Sequence, residues 1–401
     1  GVLRDHVADL EEKGTAKGAE SVVTKVFPPE GHRGPRFHLE GEGDREFIRM
    51  NSNSYLGMSL RPEVIRAEEE ATAAYGAGPG AVRFISGTYD AHVELERALA
   101  SFHGRDESMI FSSAYATIMG TISPLVTTET VVISDELNHN CIINAVRLSR
   151  PQDKVVYPHL DMSSLEGSLE KFKGAAKRAL IITDGIFSMR GDHAPMDEIV
   201  ALAEKHDEAF PENVVVVMDD SHGVGAFGET GRGTEEYTQA PPVDVLVATL
   251  GKALGVNGGY VASNSSLIRF LRESAPFYIY SNPITPGEAK AALAALRLLD
   301  SARGRELLGH LRALTKRFED GLERLGLETI PGEHPVVPLM VRDTSKTRAL
   351  VDHLYQNGIL ATGLAYPVVP RGDEEIRFQI NADHTSSDVD KALEVLGRFR
   401  E

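Results

Sequence analysis

The feature that most constrains the fold is an alternation of amphipathic helical stretches with short β-branched runs between residues 44 and 263. Predicted helices include residues 61–75, residues 93–102 and a segment opened by a Ser163/Glu166 capping box. The predicted strands are residues 131–134, 179–183, 214–218 and 245–248. Because these runs are apolar at consecutive positions, both faces of each strand would be buried. The pattern predicts an α/β domain with a mostly parallel sheet flanked by helices.

The rest of the chain predicts a smaller α+β domain and an N-terminal arm. Residues 286–325 read as helical, followed by a strand at 336–341, a helix at 345–357, a strand at 376–380 and a helix from about 387. In the first 40 or so residues, prolines and glycines at 28, 29, 31 and 34 disfavour regular structure. We therefore expect an arm over residues 1–45, a large domain over 46–285 and a small C-terminal domain over 286–401.

Composition excludes several classes of function. No stretch approaches the roughly 18 consecutive apolar residues of a membrane span, and the first twenty residues lack an apolar leader segment. Cys141 is the only cysteine, so internal disulfides are excluded, and no spacing typical of metal ligands is present. A net charge of −17 argues against nucleic acid as a partner. We expect a cytoplasmic protein that binds no metal, membrane or nucleic acid.

Polar side chains follow all four predicted strands of the larger domain. They are His139 after the first strand, Ser188 after the second, Asp219 and His222 after the third, and Thr249 and Lys252 after the fourth. In open α/β sheets, ligands bind beyond the carboxyl ends of the strands. Four such clusters at one edge of the sheet therefore predict a single site.

The chemistry of this site is indicated by Lys252. A lysine between glycines, after a buried strand, can be partly desolvated, and its amine then becomes nucleophilic enough to form a Schiff base. Pyridoxal 5'-phosphate (PLP) forms such a bond, and it also needs an acid that keeps its ring nitrogen protonated. Asp219 is the natural candidate for that acid, and His222 could hydrogen-bond the phenolic oxygen of the ring.

Other residues at the same edge could complete a PLP site. His139 could stack on the ring, and the hydroxyl of Thr249 could bind the phosphate. Ser113, Ala114 and Tyr115 precede a helix, where backbone N–H groups bind anions. Taken alone, each of these residues has a structural explanation, as a helix cap, a turn residue or a solvated charge. Their placement at a common edge favours the functional interpretation.

Two patterns in the sequence partly match nucleotide-binding motifs. Residues 223–228 match G-x-G-x-x-G after a strand, as in a dinucleotide site, but residues 229–233 continue as a glycine-rich loop where a helix should begin. Gly251-Lys252 lacks the Ser or Thr and the upstream glycine of a P-loop. Neither pattern is favoured.

Five segments, in order, resemble the α-oxoamine synthase family. They are NSYLG at 53–57, RFISGT at 83–88, TDGIFSM at 183–189, DDSHGVG at 219–225 and TLGKALG at 249–255. The resemblance implies the aspartate-aminotransferase-like fold, fold type I of the PLP-dependent transferases. It also implies a homodimer with shared active sites, and an acyltransferase that joins an amino acid to an acyl-CoA, giving an α-amino-β-keto product and free CoA.

The resemblance also implies roles for individual residues. Lys252 would carry the cofactor and later move the α-proton of the substrate. Ser188 would join His222 at the ring oxygen, and Ser281 of the neighbouring subunit would help to hold the phosphate. Asn53 and Arg377 would bind the carboxylate of the amino acid, for which a bidentate guanidinium is well suited.

The substrates are the least constrained part of the resemblance. Segments 229–237, 366–370 and 382–385 resemble glycine C-acetyltransferases (2-amino-3-ketobutyrate CoA ligases), so we expect glycine, or a similar small amino acid, and a short acyl-CoA. Departures at Ser54, at 113–117 and at 255–259 leave open a longer or carrier-bound acyl thioester, or another amino acid. A PLP lyase of threonine-aldolase type is a further alternative. An inactive partner subunit would have lost the lysine, so Lys252 argues against that interpretation.

Overall fold

The computed structural model describes residues 1–12, 16, 20–366 and 369–400. The helices are α1 Val2–Glu12, α2 Pro62–Tyr75, α3 Asp90–Phe102, α4 Ala114–Leu125, α5 Asn140–Leu148, α6 Met162–Phe172, α7 Met196–His206, α8 Thr234–Thr238, α9 Ser265–Ser274, α10 Pro276–Ile279, α11 Pro286–Leu299, α12 Ala302–Arg324, α13 Thr344–Gln356 and α14 Ser386–Arg398. The strands are β1 Val23–Phe27, β2 Arg36–Leu39, β3 Ile48–Arg49, β4 Glu107–Phe111, β5 Thr130–Asp135, β6 Asp153–Tyr157, β7 Arg178–Asp184, β8 Val214–Asp219, β9 Val245–Thr249, β10 Gly259–Ser263, β11 Val336–Met340, β12 Ile359–Leu360, β13 Thr362–Leu364 and β14 Glu375–Gln379.

The chain divides into two compact units, Asn53–Leu311 and Gly1–Ser52 with Arg312–Glu401. In the larger unit, residues 107–263 form a seven-stranded sheet of order β4-β10-β9-β8-β7-β5-β6. The run from β9 to β6 is parallel, whereas β10 pairs antiparallel with both β9 and β4. The four predicted strands are present as β5, β7, β8 and β9, and the predicted fold type is confirmed.

A continuous apolar core explains why these strands read as uninterrupted hydrophobic runs. Val132, Leu180, Val217 and Val247 come from the four parallel strands, and all are fully buried. They belong to one core cluster with residues of α4, α5 and α9. The residues of β5, for example, are buried at all six positions. Burial on both faces is the condition under which a parallel sheet is stable.

The strand register brings the carboxyl ends of the parallel strands together. Asp184, the last residue of β7, pairs directly with Asp219, the last residue of β8. Asp219 in turn pairs with Val247 of β9. After β8, residues 221–231 form turns and bends, and no helix begins before α8. The helix that a dinucleotide motif requires is therefore missing from this fully described segment.

The smaller unit contains an antiparallel sheet of order β11-β14-β13, together with the pairs β12-β3 and β1-β2. The prediction that the N-terminal segment lacks regular structure is wrong, because it contains α1, β1 and β2. The prolines and glycines at 28, 29, 31 and 34 lie between β1 and β2, where they interrupt no strand ladder. The predicted domain boundaries after residues 45 and 285 stay a prediction, since compactness does not establish independent folding.

Two local predictions need correction. The helical segment 286–325 is two helices, α11 and α12, separated at Asp300 and Ser301. The cap of α6 is Asp161, whose carboxylate accepts a hydrogen bond from the N–H of Ser164 at 2.9 Å, so the predicted Ser163/Glu166 box is not the start of this helix.

Within the segment 366–370, Pro367 and Val368 lie outside the described residues. Among the described helices, none combines the length and the apolar character that crossing a membrane requires.

Candidate active site

One cavity of the larger unit lies at the carboxyl ends of β5, β7, β8 and β9. Seven of the predicted site residues line it: Ala114, Tyr115, His139, Ser188, Asp219, His222 and Lys252. The other lining residues are Cys141, Asp184, Ile186 and Ser221. The structure thus brings together side chains from four strand ends and from the start of α4.

The floor of the cavity carries two adjacent carboxyl groups. Asp219 is buried, and its Oδ1 accepts a hydrogen bond from the N–H of Ser221 at 3.1 Å. Its Oδ2 lies 3.8 Å from Sγ of Cys141. Burial, reinforced by the charge of Asp219, raises the pKa of Asp184 well above its ordinary value. This rise in pKa favours the protonated form of Asp184.

His139 is held in place from both sides. It is the N-cap of α5, and its Nδ1 accepts a hydrogen bond from the N–H of Cys141 at 3.2 Å and lies 3.0 Å from Sγ of Cys141. Its own main-chain N–H donates to Oδ2 of Asp184 at 2.9 Å. Burial lowers the pKa of His139, although the nearby Asp219 opposes this effect. The neutral imidazole that results suits a stacking role.

His222 is supported by a tyrosine from the start of the larger unit. The hydroxyl of Tyr55 lies 2.7 Å from Nδ1 of His222 and 3.4 Å from Oδ1 of Asn53. Tyr55 is fully buried and adopts the left-handed conformation, with φ of 41°. The chain therefore turns sharply at the NSYLG segment. Asn53 is connected to the cavity through Tyr55 and is not itself one of the lining residues.

The start of α4 provides the anion-binding geometry that the sequence predicts. Ser113 is the N-cap, and its hydroxyl accepts a hydrogen bond from the N–H of Ala116 at 3.1 Å. A Cβ atom on Gly259 of β10 would lie 2.4 Å from the backbone nitrogen of Ala114, so only glycine lets the strand pass this close. Ala114 and Tyr115 then present the first turn of the helix to the cavity.

Thr249 supports the loop that carries Lys252. Its hydroxyl donates to the carbonyl oxygen of Gly258 at 3.2 Å and accepts from the N–H of Gly251 at 3.0 Å. Neither Thr249 nor Ser113 is among the residues that line the cavity. Their predicted contacts with a phosphate therefore stay predictions.

Two further predicted residues lie elsewhere. Ser281 is half-buried, and its hydroxyl contacts the carbonyl oxygen of Asn282 at 3.5 Å. The family resemblance assigns it to the active site of a neighbouring subunit. Arg377 is on β14, in the smaller unit, where it pairs with Pro338 and Thr362. The roles of Ser281 and Arg377 stay predictions.

Sequence reasoning assigned no role to five residues at or next to the cavity. They are Tyr55, Cys141, Asp184, Ile186 and Ser221. Four of them gave a usable signal, because Asp184 directly follows a predicted strand, and Tyr55, Ile186 and Ser221 lie within family segments. Cys141 carries no such signal, since only the folded loop brings its side chain to the cavity.

The residues present fit PLP. Ser221 has a buried hydroxyl oxygen that makes no hydrogen bond within the described residues, so a polar acceptor or donor from a ligand would satisfy it. A buried carboxylate at Asp219 matches a pyridinium nitrogen, and the start of α4 matches a phosphate. Lys252 supplies the amine that an aldehyde requires. The ring nitrogen, the phosphate and the aldehyde of the cofactor therefore each have a chemically matching group in this site.

Comparison with known proteins adds a family context. The chain matches the family model described as aminotransferase class I and II over residues 45–396. It is 38% identical over 395 residues to 8-amino-7-oxononanoate synthase 1 of Bacillus velezensis, covering 98% of this chain and 96% of that protein. It is 37% identical over 396 residues to the mitochondrial 2-amino-3-ketobutyrate coenzyme A ligase of Bos taurus, covering 98% and 90%. The solved serine palmitoyltransferase of Sphingomonas wittichii matches with a TM-score of 0.89 at 27% identity, covering 99% and 95%.

Proposed function

Because the chain belongs to the α-oxoamine synthase family of PLP-dependent enzymes, we propose that it joins a small amino acid to an acyl thioester longer than an acetyl group. The observation that carries the reaction class is the single cavity lined by Lys252, Asp219 and His139. A longer acyl group is supported by the relatives, most of which are named 8-amino-7-oxononanoate synthase. That name describes a product with a nine-carbon chain.

The proposed roles follow from the chemistry of each side chain. PLP, when bound, withdraws electrons from the α-carbon of the amino acid. Asp219 holds a proton at the ring nitrogen, and the neutral ring of His139 covers one face and excludes water. Lys252 holds the cofactor and then moves the proton of the α-carbon. His222, positioned by the hydroxyl of Tyr55, donates a hydrogen bond to the ring oxygen together with Ser188.

The substrate would be bound by groups outside the cavity floor. We propose that Asn53 and Arg377 bind the carboxylate of the amino acid.

The phosphate of the cofactor would be held by the backbone N–H groups of Ala114 and Tyr115. Ser113 and Thr249 of the same chain, and Ser281 of the partner subunit, would add hydroxyl groups. A homodimer in the cytoplasm, with shared active sites, is part of this proposal.

A second candidate keeps the chemistry and changes the substrates. Glycine and a short acyl-CoA are supported by the 37% identity to a 2-amino-3-ketobutyrate coenzyme A ligase. Residues 229–237, which resemble glycine C-acetyltransferases, support the same assignment. The two candidates differ in the length of the acyl group and in the amino acid, so a substrate panel separates them.

The proposal is tested with purified protein loaded with PLP. Glycine, alanine and serine are each combined with acetyl-CoA and with CoA thioesters and carrier-protein thioesters of longer acyl chains, and thiol release is followed. We expect turnover with a longer chain. Turnover with glycine and acetyl-CoA alone would favour the second candidate, and release of acetaldehyde from threonine without a thioester would indicate a lyase instead.

The role of Lys252 has its own test. Lys252→Ala should abolish both thiol release and the borohydride-reducible visible absorption of the bound cofactor. Lys177→Ala is the control, because this exposed lysine forms a surface ion pair with Glu129 and lies outside the cavity. Turnover retained by Lys252→Ala would overturn the proposed mechanism.

A further inference from the structure

We infer that His159 is a positioning residue of the active site, whose ring ties the end of β5 to the turn that carries Ser188. The inference rests on the proposed function for the role of Ser188, but its geometry is independent of any substrate. His159 follows β6 and does not line the cavity. It would therefore act through the residues that it holds.

Both ring nitrogens of His159 face carboxylates. Nδ1 lies 3.0 Å from Oδ1 of Asp135, and Nε2 lies 3.2 Å from Oδ2 of Asp192. A neutral imidazole has a single N–H donor, so only the protonated ring can donate to both. The side chain of His159 is 14% exposed and that of Asp135 is 0% exposed. The bond to Asp135 is therefore shielded from solvent and is stronger than a surface contact, whereas the carboxylate of Asp192 is 22% exposed.

The first carboxylate organises the loop that leads to His139. Asp135 is the last residue of β5, and it accepts hydrogen bonds from the N–H groups of Leu137 at 2.9 Å and Leu160 at 3.0 Å. Asn138, next in this loop, donates to the carbonyl oxygen of Ile182 at 2.8 Å. The carboxylate of Asp135 thus joins the loops after β5 and β6 immediately before His139.

The second carboxylate belongs to Asp192, whose main chain closes the turn that contains Ser188. The N–H of Phe187 donates to the carbonyl oxygen of Asp192 at 2.9 Å, and Nε of Arg190 donates to Oδ2 of Asp192 at 2.8 Å. The ring of His159 also packs edge-on against Phe187, with centroids 4.4 Å apart. His159 therefore contacts both ends of the turn. Ser188 lies between them and lines the cavity.

The charges around the ring favour the doubly bonded form. Burial by itself lowers the pKa of His159, but the hydrogen bonds to Asp135 and Asp192 outweigh it and raise the pKa to about 9. The other charged groups nearby are Glu136, whose Oε1 accepts from the N–H of His159 at 2.8 Å, and Arg190, which is bonded to Asp192. At neutral pH the ring is thus charged and donates to both carboxylates.

The experiment compares His159→Gln with a matched histidine outside the site. His206 also has two carboxylate neighbours, Glu166 and Glu170, each 3.4 Å from a ring nitrogen, and its side chain is 4% exposed. Hydrogen–deuterium exchange of residues 186–193 is measured in the cofactor-free protein, and the dissociation constant of PLP is measured separately. We expect His159→Gln to speed exchange in this segment and weaken PLP binding, each about tenfold, whereas His206→Gln changes neither.

Other outcomes are equally informative. Unchanged exchange at 186–193 in His159→Gln, or the same change in His206→Gln, would overturn the inference. If His159→Gln does not fold, Asp192→Ala removes the carboxylate that the ring contacts at the turn, together with its bond to Arg190, and should give the same local increase in exchange. Hydrogen–deuterium exchange is measured without substrate or cofactor. An absence of turnover in the thioester panel would therefore contradict the proposed function without contradicting the positioning role of His159.

Discussion

Tyr55 does not line the cavity, but its hydroxyl contacts His222, which does. We therefore expect Tyr55 to affect activity by holding the ring of His222 in position. Tyr55→Phe removes the group that lies 2.7 Å from Nδ1 of His222 without changing the packing of the ring. We expect kcat/KM to fall about tenfold, and the free energy of unfolding to fall by about 1 kcal/mol, the usual effect of one buried hydrogen bond. Steady-state kinetics and urea denaturation measure the two effects.

A matched tyrosine separates positioning from stability. The hydroxyl of Tyr260 lies 2.7 Å from Nε2 of His103, both residues are buried, and neither lines the cavity. Tyr260→Phe should lose similar stability and keep full activity. Equal losses of activity in the two variants would show that Tyr55 acts only through the stability of the fold.

The pH dependence of stability provides a second prediction for single residues. The pKa of His159 rises from its ordinary value of 6.5 to about 9 in the folded protein. A raised histidine pKa stabilises the fold fully below about pH 6.5, and the contribution is lost as the pH rises through about 9. The free energy of unfolding of the wild type should therefore exceed that of His159→Gln by on the order of 2 kcal/mol at pH 6, and by much less at pH 10. Urea denaturation across this range tests the slope, and a difference that is constant with pH would contradict it.

Helix α12 contains two glycines for which the same substitution should have opposite effects. A Cβ atom on Gly309 would have no heavy atom within 4 Å, whereas one on Gly321 would lie 2.2 Å from a methyl group of Leu393 in α14. Gly309→Ala should raise the free energy of unfolding by about 0.5–1 kcal/mol, because alanine loses less backbone entropy in a helix. Gly321→Ala should lower it by about 1–3 kcal/mol through overpacking. Each variant controls for the other in chemical denaturation, and two changes of the same sign would refute the packing argument.

The elements that the sequence predicted share one physical property, burial on both faces. β5, β7, β8 and β9 are interior strands, so each is a nearly continuous apolar run. The sequence analysis did not predict β4, β6 or β10. β6 is an edge strand with mostly exposed residues. β10 is buried at all five positions, but its sequence GYVAS contains only three consecutive apolar residues. Exposure in one strand and a shorter apolar run in the other remove the pattern on which such predictions depend.

The same reasoning explains which site residues were predictable. His139, Asp219 and Lys252 follow strand ends directly, so their convergence needed only the general topology of a parallel sheet. Tyr55 and His159 reach the site from other loops, through hydrogen bonds that depend on the register and on side-chain conformation. No sequence spacing encodes those contacts.

For the whole molecule, the family, the fold and the PLP cofactor that the sequence predicted are confirmed, while glycine and a short acyl-CoA are not. The recognised segments include Lys252, Asp219 and His222, to which we assign roles toward the cofactor rather than toward the acyl group. Specificity for the acyl group depends instead on the shape of its channel. A motif that binds the common cofactor therefore predicts the reaction class better than the substrate.

The predicted homodimer can be tested through an exposed apolar patch, which we define as Phe84, Ile85, Phe277 and Tyr280. Phe84 and Ile85 are 65% and 66% exposed, and Tyr280 is 81% exposed. The patch is rigidly supported. Arg83 forms a buried ion pair with Glu96 at 2.9 Å, and its guanidinium lies 5.5 Å from the ring centroid of Tyr278 in α10. Large apolar groups held firmly in solvent are typical of a surface that another chain covers.

If the patch is the dimer interface, Phe84→Asp combined with Ile85→Asp should shift the mass in sedimentation equilibrium from twice the chain mass of 43.6 kDa to that of one chain. Leu148→Asp is the control, since Leu148 is 69% exposed on α5 and lies outside the patch. A wild type that sediments as a single chain, or a double variant that stays dimeric, would refute this assignment. Ser281 directly follows Tyr280 of the patch, so dissociation would also withdraw its predicted phosphate contact. The monomeric variant should therefore bind PLP more weakly than the control.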